Sequence, residues 1–127
     1  MPRKKIEKTR YSDKELDFFE NIIDEKLLQA RGQLEFYLNQ LQEMADDPDS
    51  KIKGLDDGIT SMESERVSSL ASRQRKLIQH LENAKIRIKN KVYGICRVSG
   101  KLIARERLIA VPHATLSIEA KQTQPSV

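Results

Sequence analysis

Five aspartates fall within twelve residues of this chain: Asp46, Asp47, Asp49, Asp56 and Asp57. Carboxylates at that density suit a hard cation, a basic partner or the caps of neighbouring helices. A calcium-binding loop is excluded by spacing. Counted from Asp47, the sixth residue is Ile52 where such a loop needs Gly, and the twelfth is Gly58 where it needs Glu. Two readings remain open: Asp56 or Asp57 caps a following helix, or the cluster is presented to a metal ion or basic residues of a partner. Elsewhere reactive residues are sparse. Cys96 is the single cysteine, so no intramolecular disulfide forms. With only His80 and His113 beside it, the metal-ligand inventory is thin. No phosphate loop and no nucleophile–base arrangement occurs, and no catalytic residue is assigned.

The elements that hold the aspartates are two long helices. Ser12-Asp13-Lys14-Glu15 reads as a capping box, with Ser12 the N-cap and Glu15 reaching back. Apolar residues then recur at Leu16, Phe19, Ile23, Leu27, Ala30, Leu34, Tyr37, Leu41 and Met44. This is a heptad-like seam with a four-residue stutter near Ile23. Asp46-Asp47-Pro48-Asp49-Ser50 breaks the chain. The period resumes at Ile59 and Met62 and runs through Val67, Leu70, Leu77, Leu81, Ala84 and Ile88, with Gln74 a polar interruption. Thr60-Ser61-Met62-Glu63 is a second candidate capping box, and Gly94 a candidate stop. Helices are expected at 13–46 and 59–92. A short connector between them implies an antiparallel hairpin whose tip is 47–58.

Charge supports that pairing. The formal net charge is +4. Residues 2–10 carry five Lys or Arg and one Glu, which is the whole excess. Beyond them, 11–45 sums to −5, 46–57 to −3, 58–92 to +5 and 93–127 to +3. An acidic first helix thus faces a basic second one. Exposed pairs are individually weak, so the pattern sets orientation more than it supplies stability. No stretch is long and apolar enough to span a membrane, and the first residues lack the apolar core of a signal peptide. The expected location is cytoplasmic, without membrane association.

After Gly94 the pattern changes. Short apolar runs, Ile95-Cys96-Arg97-Val98 and Lys101-Leu102-Ile103, flank Ser99-Gly100, a hairpin signal. Arg105–Leu108 reads as a helical turn, Val111–Thr115 as an extended connector and Leu116–Lys121 as a last short helix. The order Tyr93-Gly94-Ile95-Cys96, Ser99-Gly100, Ile103, Arg107-Leu108, Ala110, Pro112, Ala114-Thr115-Leu116, Ile118 and Lys121 resembles the zinc-finger end of the DksA/TraR family. Arg73-Gln74-Arg75-Lys76-Leu77-Ile78 matches upstream in the same register. The resemblance covers residues 11–121.

The resemblance implies a mainly α fold: a long antiparallel two-helix coiled-coil hairpin and a small C-terminal zinc-finger-like module with a short β-hairpin. The expected organisation is a basic, flexible arm at 1–11, the hairpin at 12–92, the module at 93–121 and a flexible tail at 122–127. It further implies a transcription regulator of the stringent-response kind, a monomer without sequence-specific DNA contact. Such a regulator binds bacterial RNA polymerase and inserts its tip into the secondary channel.

The family's four zinc ligands fall on Cys96, Ser99, Ser117 and Ala120. One thiolate remains where structural zinc takes four ligands, so zinc is expected to be absent. Packing of Ile95, Val98, Leu102, Ile103, Leu108, Val111, Leu116 and Ile118, and hydroxyl hydrogen bonds from Ser99 and Ser117, are expected to replace its contribution. Cys96 then reads as a small buried hydrophobe, and His113 as a surface or packing residue. Gapless alignment puts the family's functional tip Asp and the small residue after it at Asp56 and Gly58. Asp57 is a substitute, and a second tip Asp aligns with Lys53. Arg73 and Leu77 match polymerase contacts. Lys121 matches a residue contributing to guanosine tetraphosphate binding, which makes that nucleotide a possible effector. A family lysine is His80 here, which weakens phosphate attraction near neutral pH. Two alternatives use the same sequence differently. One is a structural coiled-coil adaptor. The other is a non-specific nucleic-acid-binding protein working through Arg3, Lys4, Lys5, Lys8 and Arg10.

Overall fold

The computed structural model describes the chain over 9–46 and 57–123, the side chains of 57–60 and 123 excepted. Four helices occur in these residues: α1 (Asp13–Asp46), α2 (Asp57–Lys89), α3 (Arg105–Ala110) and α4 (Ile118–Thr123). None is long and apolar enough to cross a membrane. Two compact units are built from them. One takes in residues up to Glu25 and from His80 onward, and the other is Lys26–Gln79.

In the first unit α1 starts as its sequence dictates. The Glu15 amide donates to Ser12 Oγ at 3.2 Å, and the Ser12 amide to Glu15 Oε1 at 3.1 Å. This reciprocal box satisfies two otherwise unpaired donors. Leu16, Phe19 and Ile23 of α1 and Leu81, Ala84 and Ile88 of α2 are all buried in this unit. Lys85 Nζ lies 2.6 Å from Asp24 Oδ1 and Lys91 Nζ 3.1 Å from Asp13 Oδ1. These contacts make the pairing antiparallel and join acidic α1 to basic α2.

The second helix ends by a route different from the expected glycine stop. It finishes at Lys89, and Lys91 rather than Gly94 takes the left-handed turn, with φ 64°. The Val92 amide donates to the Arg87 carbonyl and the Lys91 amide to the Ile88 carbonyl, each at 3.0 Å. Those two bonds are a Schellman motif. Gly94, with φ 79°, serves the next bend.

In the Lys26–Gln79 unit the seam continues at Leu27, Ala30, Val67 and Ala71, all buried. Leu34, Tyr37, Leu41, Met44, Leu70, Gln74 and Leu77 are only half-buried. A two-helix layer has one covered face per helix, so side chains there reach solvent at their edges. Met62 departs from expectation and is 72% exposed. Counting back from Val67 by three puts Ser64 on the seam instead, and its hydroxyl meets Met44 Sδ at 3.7 Å. The box at Thr60–Glu63 lies inside α2 and does not start it.

The boundary of the N-terminal arm also shifts. Tyr11 is 6% exposed and belongs to the first unit's core. Its hydroxyl donates to the Ile103 carbonyl, and its ring meets Phe19 edge-on at 5.2 Å. At the other end α4 runs through Thr123, past the expected start of the tail. The expected hairpin contracts to one antiparallel bridge, Ile95 to Leu102. Arg3, Lys4, Lys5, Lys8, Lys53, Asp56 and the rest of the connector 47–56 lie outside the described residues. Asp57 and Gly58 fall in the first turn of α2 rather than in a connector.

Candidate functional site: a cysteine-poor knuckle beside a basic pocket

Cys96, Ser99, Ser117 and Ala120 come together as the resemblance implies. The amides of Ser99 and Ser117 point at Cys96 Sγ, at 3.5 and 3.4 Å. The Gly100 amide donates to the Cys96 carbonyl at 2.8 Å, closing a tight turn around the sulfur. Hydrogen bonds from Ser99, followed by those from the Ser117 and Val98 amides, pull the Cys96 thiol down to about 6 from its ordinary value of 9.0. Ser117 has a second task. Its hydroxyl accepts from the Ala120 amide at 3.1 Å and its carbonyl from the Lys121 amide at 2.9 Å, so it caps α4. Ser99 Oγ accepts from the Lys101 amide at 3.3 Å.

The four side chains offer one thiol, two hydroxyls and a methyl. That set does not fit zinc, which takes Cys, His or carboxylate ligands. Among the described residues no three His, Cys, Asp or Glu are grouped to hold a metal ion.

Several residues proposed as packing substitutes do bury: Ile103 and Leu108 fully, and Ile95, Leu102, Val111 and Leu116 in part. Val98 and Ile118 instead stand 54% and 49% exposed. Aromatics not assigned to this core also enter it. Tyr93 is fully buried, its hydroxyl donating to the Pro112 carbonyl at 2.7 Å and its ring 5.3 Å from that of Phe19. Burial raises its phenol well above the ordinary value. Arg105 sits 4.6 Å over the Phe18 ring, a cation–π contact. The signal available in the sequence was the placement of Tyr11 one residue before the Ser12 cap, where an apolar staple residue stands.

Arg73 and Leu77 lie on α2 in the Lys26–Gln79 unit, one helical turn apart; Arg73 is exposed and Leu77 half-buried. Lys121 is exposed on α4, in the other unit. There it borders a pocket of about 280 Å³ with His80, Arg87, Arg107 and His113. The imidazoles of His80 and His113 stack nearly parallel, 9° apart in plane with centroids 5.6 Å apart. His113 is half-buried there and packs on His80, as a packing residue does. Arg87 and Arg107 were not singled out in the sequence, although His80 and Arg87 are seven residues apart and share a helix face.

Comparison with known proteins agrees with this architecture. Residues 91–124 match the prokaryotic dksA/traR C4-type zinc finger model. The chain is similar to the RNA polymerase-binding transcription factor DksA of Caulobacter vibrioides, 30% identical over 117 residues, covering 87% of this chain and 76% of that protein. It is also similar to general stress protein 16O of Bacillus subtilis, 26% identical over 101 residues, 76% of this chain and 62% of that protein. Among solved structures, transcription factor DksA2 from Pseudomonas aeruginosa superposes with a TM-score of 0.77 at 25% identity, over 84% of this chain and 80% of that one. The agreement spans both long helices and the module, and the chain belongs to the DksA/TraR family of transcription factors.

Proposed function

We propose that this chain regulates transcription by binding bacterial RNA polymerase and extending its helical hairpin into the secondary channel, where the acidic connector acts. The observation that carries the reading is the match to a polymerase-binding factor over 87% of the chain, spanning hairpin and module together. In this reading Asp56, Asp57 and Gly58 form the acting tip, and Arg73 and Leu77 contact polymerase from α2. Lys121 faces a guanosine tetraphosphate effector. The protein works as a cytoplasmic monomer, catalyses nothing itself and makes no sequence-specific DNA contact. The module folds without zinc, because the amides of Ser99 and Ser117 and the cap at Ser117 supply the links that a metal otherwise would.

The test is a transcription assay with purified polymerase, with and without guanosine tetraphosphate. The intact chain is expected to change initiation, and Asp56→Asn with Asp57→Asn to weaken that change while leaving binding in place. Equal action by intact and substituted chains rejects the tip's role.

A further inference from the structure

Within the Lys26–Gln79 unit, the outward side of α1 carries large apolar residues that its seam does not use. Leu28 is 74% exposed, Phe36 59% and Leu38 39%. Single apolar residues are common on surfaces, but neighbours on one helix make a patch that a partner covers. Leu28, Gly32 and Phe36 follow at four-residue spacing and share a face. Gly32 is unexplained by its own chain. A glycine weakens a helix interior, and only Gly94 and Gly100 among the described glycines have positive φ. A Cβ on Gly32 would meet nothing within 4 Å. Neither backbone conformation nor internal packing calls for glycine there, whereas close approach by another helix does.

The charges nearby identify the neighbour as a second copy. Although α1 is acidic, between Glu25 and Glu43 its only charged residues are Lys26, Arg31 and Glu35. Like-charge repulsion between two copies is therefore least over this stretch. The order is also symmetric about residue 33. Arg31 and Glu35 stand two residues to either side, and Leu28 and Leu38 five. All four are exposed. In an antiparallel pair with its twofold axis at that height, Arg31 of each copy meets Glu35 of the other, Leu28 meets Leu38, and Phe36 lies over the bare backbone of Gly32. A parallel pair in register sets Arg31 against Arg31. We propose that this face is an isologous homodimer interface, in which two copies pack α1 on α1, antiparallel about residue 33. Exposed ion pairs are weak, so Arg31 and Glu35 set direction while the apolar anchors supply affinity. Together with the polymerase reading above, the pair is a resting form and the monomer is the form that docks; the interface stands without that reading.

The test is sedimentation velocity of the full chain from about 1 µM to about 200 µM, since dimers form by mass action. Conversion of monomer to dimer across that range is expected. Gly32→Leu blocks the close approach from what is open space on its own chain, and Phe36→Ser removes an anchor. Each is expected to weaken dimerisation at least about tenfold, with helix content by circular dichroism retained. Arg31→Glu and Glu35→Arg are each expected to weaken it too, and the double exchange to restore it. A chain that stays monomeric throughout, a dimer indifferent to Gly32→Leu and Phe36→Ser, or single charge losses that the exchange fails to recover overturns the proposal. Binding to core polymerase separates the two readings. If the chain dimerises as expected but does not bind polymerase, the regulator reading falls and the interface stands. If it is monomeric and Phe36→Ser loses polymerase binding, the face belongs to the polymerase contact and only this inference falls.

Discussion

Gly94 and Gly100 provide an internally controlled test of what holds the C-terminal module together. Both have positive φ, 79° and 71°. A side chain at either position carries the left-handed penalty, about 1–2 kcal/mol. They differ in surroundings. A Cβ on Gly94 would lie 2.6 and 2.7 Å from two ring carbons of Tyr11 and 3.2 Å from Leu108 Cδ1, whereas one on Gly100 meets nothing within 4 Å. Tyr11 cannot retreat freely, since its hydroxyl is bonded to the Ile103 carbonyl and its ring packs on Phe19. Overpacking of this kind costs about 1–3 kcal/mol. Gly94→Ala should therefore destabilise by about 2–5 kcal/mol and Gly100→Ala by only about 1–2 kcal/mol. The assay is urea unfolding followed by tyrosine fluorescence. The chain has no Trp and three tyrosines, and Tyr11 and Tyr93 lie in this core. Equal losses for the two variants would refute the claim that Tyr11 is clamped between module and α1.

Three further outcomes follow from the same structure. Lys91→Gly relieves the strain of a lysine at the left-handed Schellman position but gives up its exposed ion pair to Asp13, so stability should rise by at most about 1 kcal/mol, read as a higher urea midpoint with an unchanged slope. Because folding holds His113 below its ordinary value of 6.5, the unfolded chain binds that proton more readily. Stability is therefore lost as pH falls through and below about 6.5. Unfolding curves above and below that pH should show a larger acid loss for the parent chain than for His113→Gln. A metal chelator should leave the thermal midpoint of the purified protein unchanged, and elemental analysis should find no stoichiometric zinc. One tightly held equivalent would contradict the reading of Ser99, Ser117 and Ala120 as non-ligands.

Much of the fold is legible in the sequence because its signals are local. The Ser12–Glu15 box is read from four residues and forms as read. The seam from Leu16 to Ala30 follows from spacing alone. What spacing misses is set by packing at a distance in sequence. Tyr11 looks like the end of a basic arm until Ile103, 92 residues away, accepts its hydroxyl. Val98 and Ile118 look like core residues by type, yet Val98 falls in the turn that the Gly100 amide closes on the Cys96 carbonyl and stands exposed, and α4, capped by Ser117, begins with Ile118 on its exposed side. Met62 shares a period with Ile59 but not with Val67, and the partner helix selects the latter. Of the candidate site, the positions corresponding to the zinc ligands are legible through motif order. The basic pocket is not, because its residues come from three helices and a connector that only the tertiary fold brings together.

The proposed function requires physical association with polymerase through the secondary channel. The most direct measurement is binding of the full chain to purified bacterial core RNA polymerase in the presence of increasing amounts of another secondary-channel factor. Saturable one-to-one binding that the competitor displaces is expected, with weaker binding for Arg73→Ala. Failure to bind core polymerase at any concentration, or binding that the competitor leaves untouched, would contradict it.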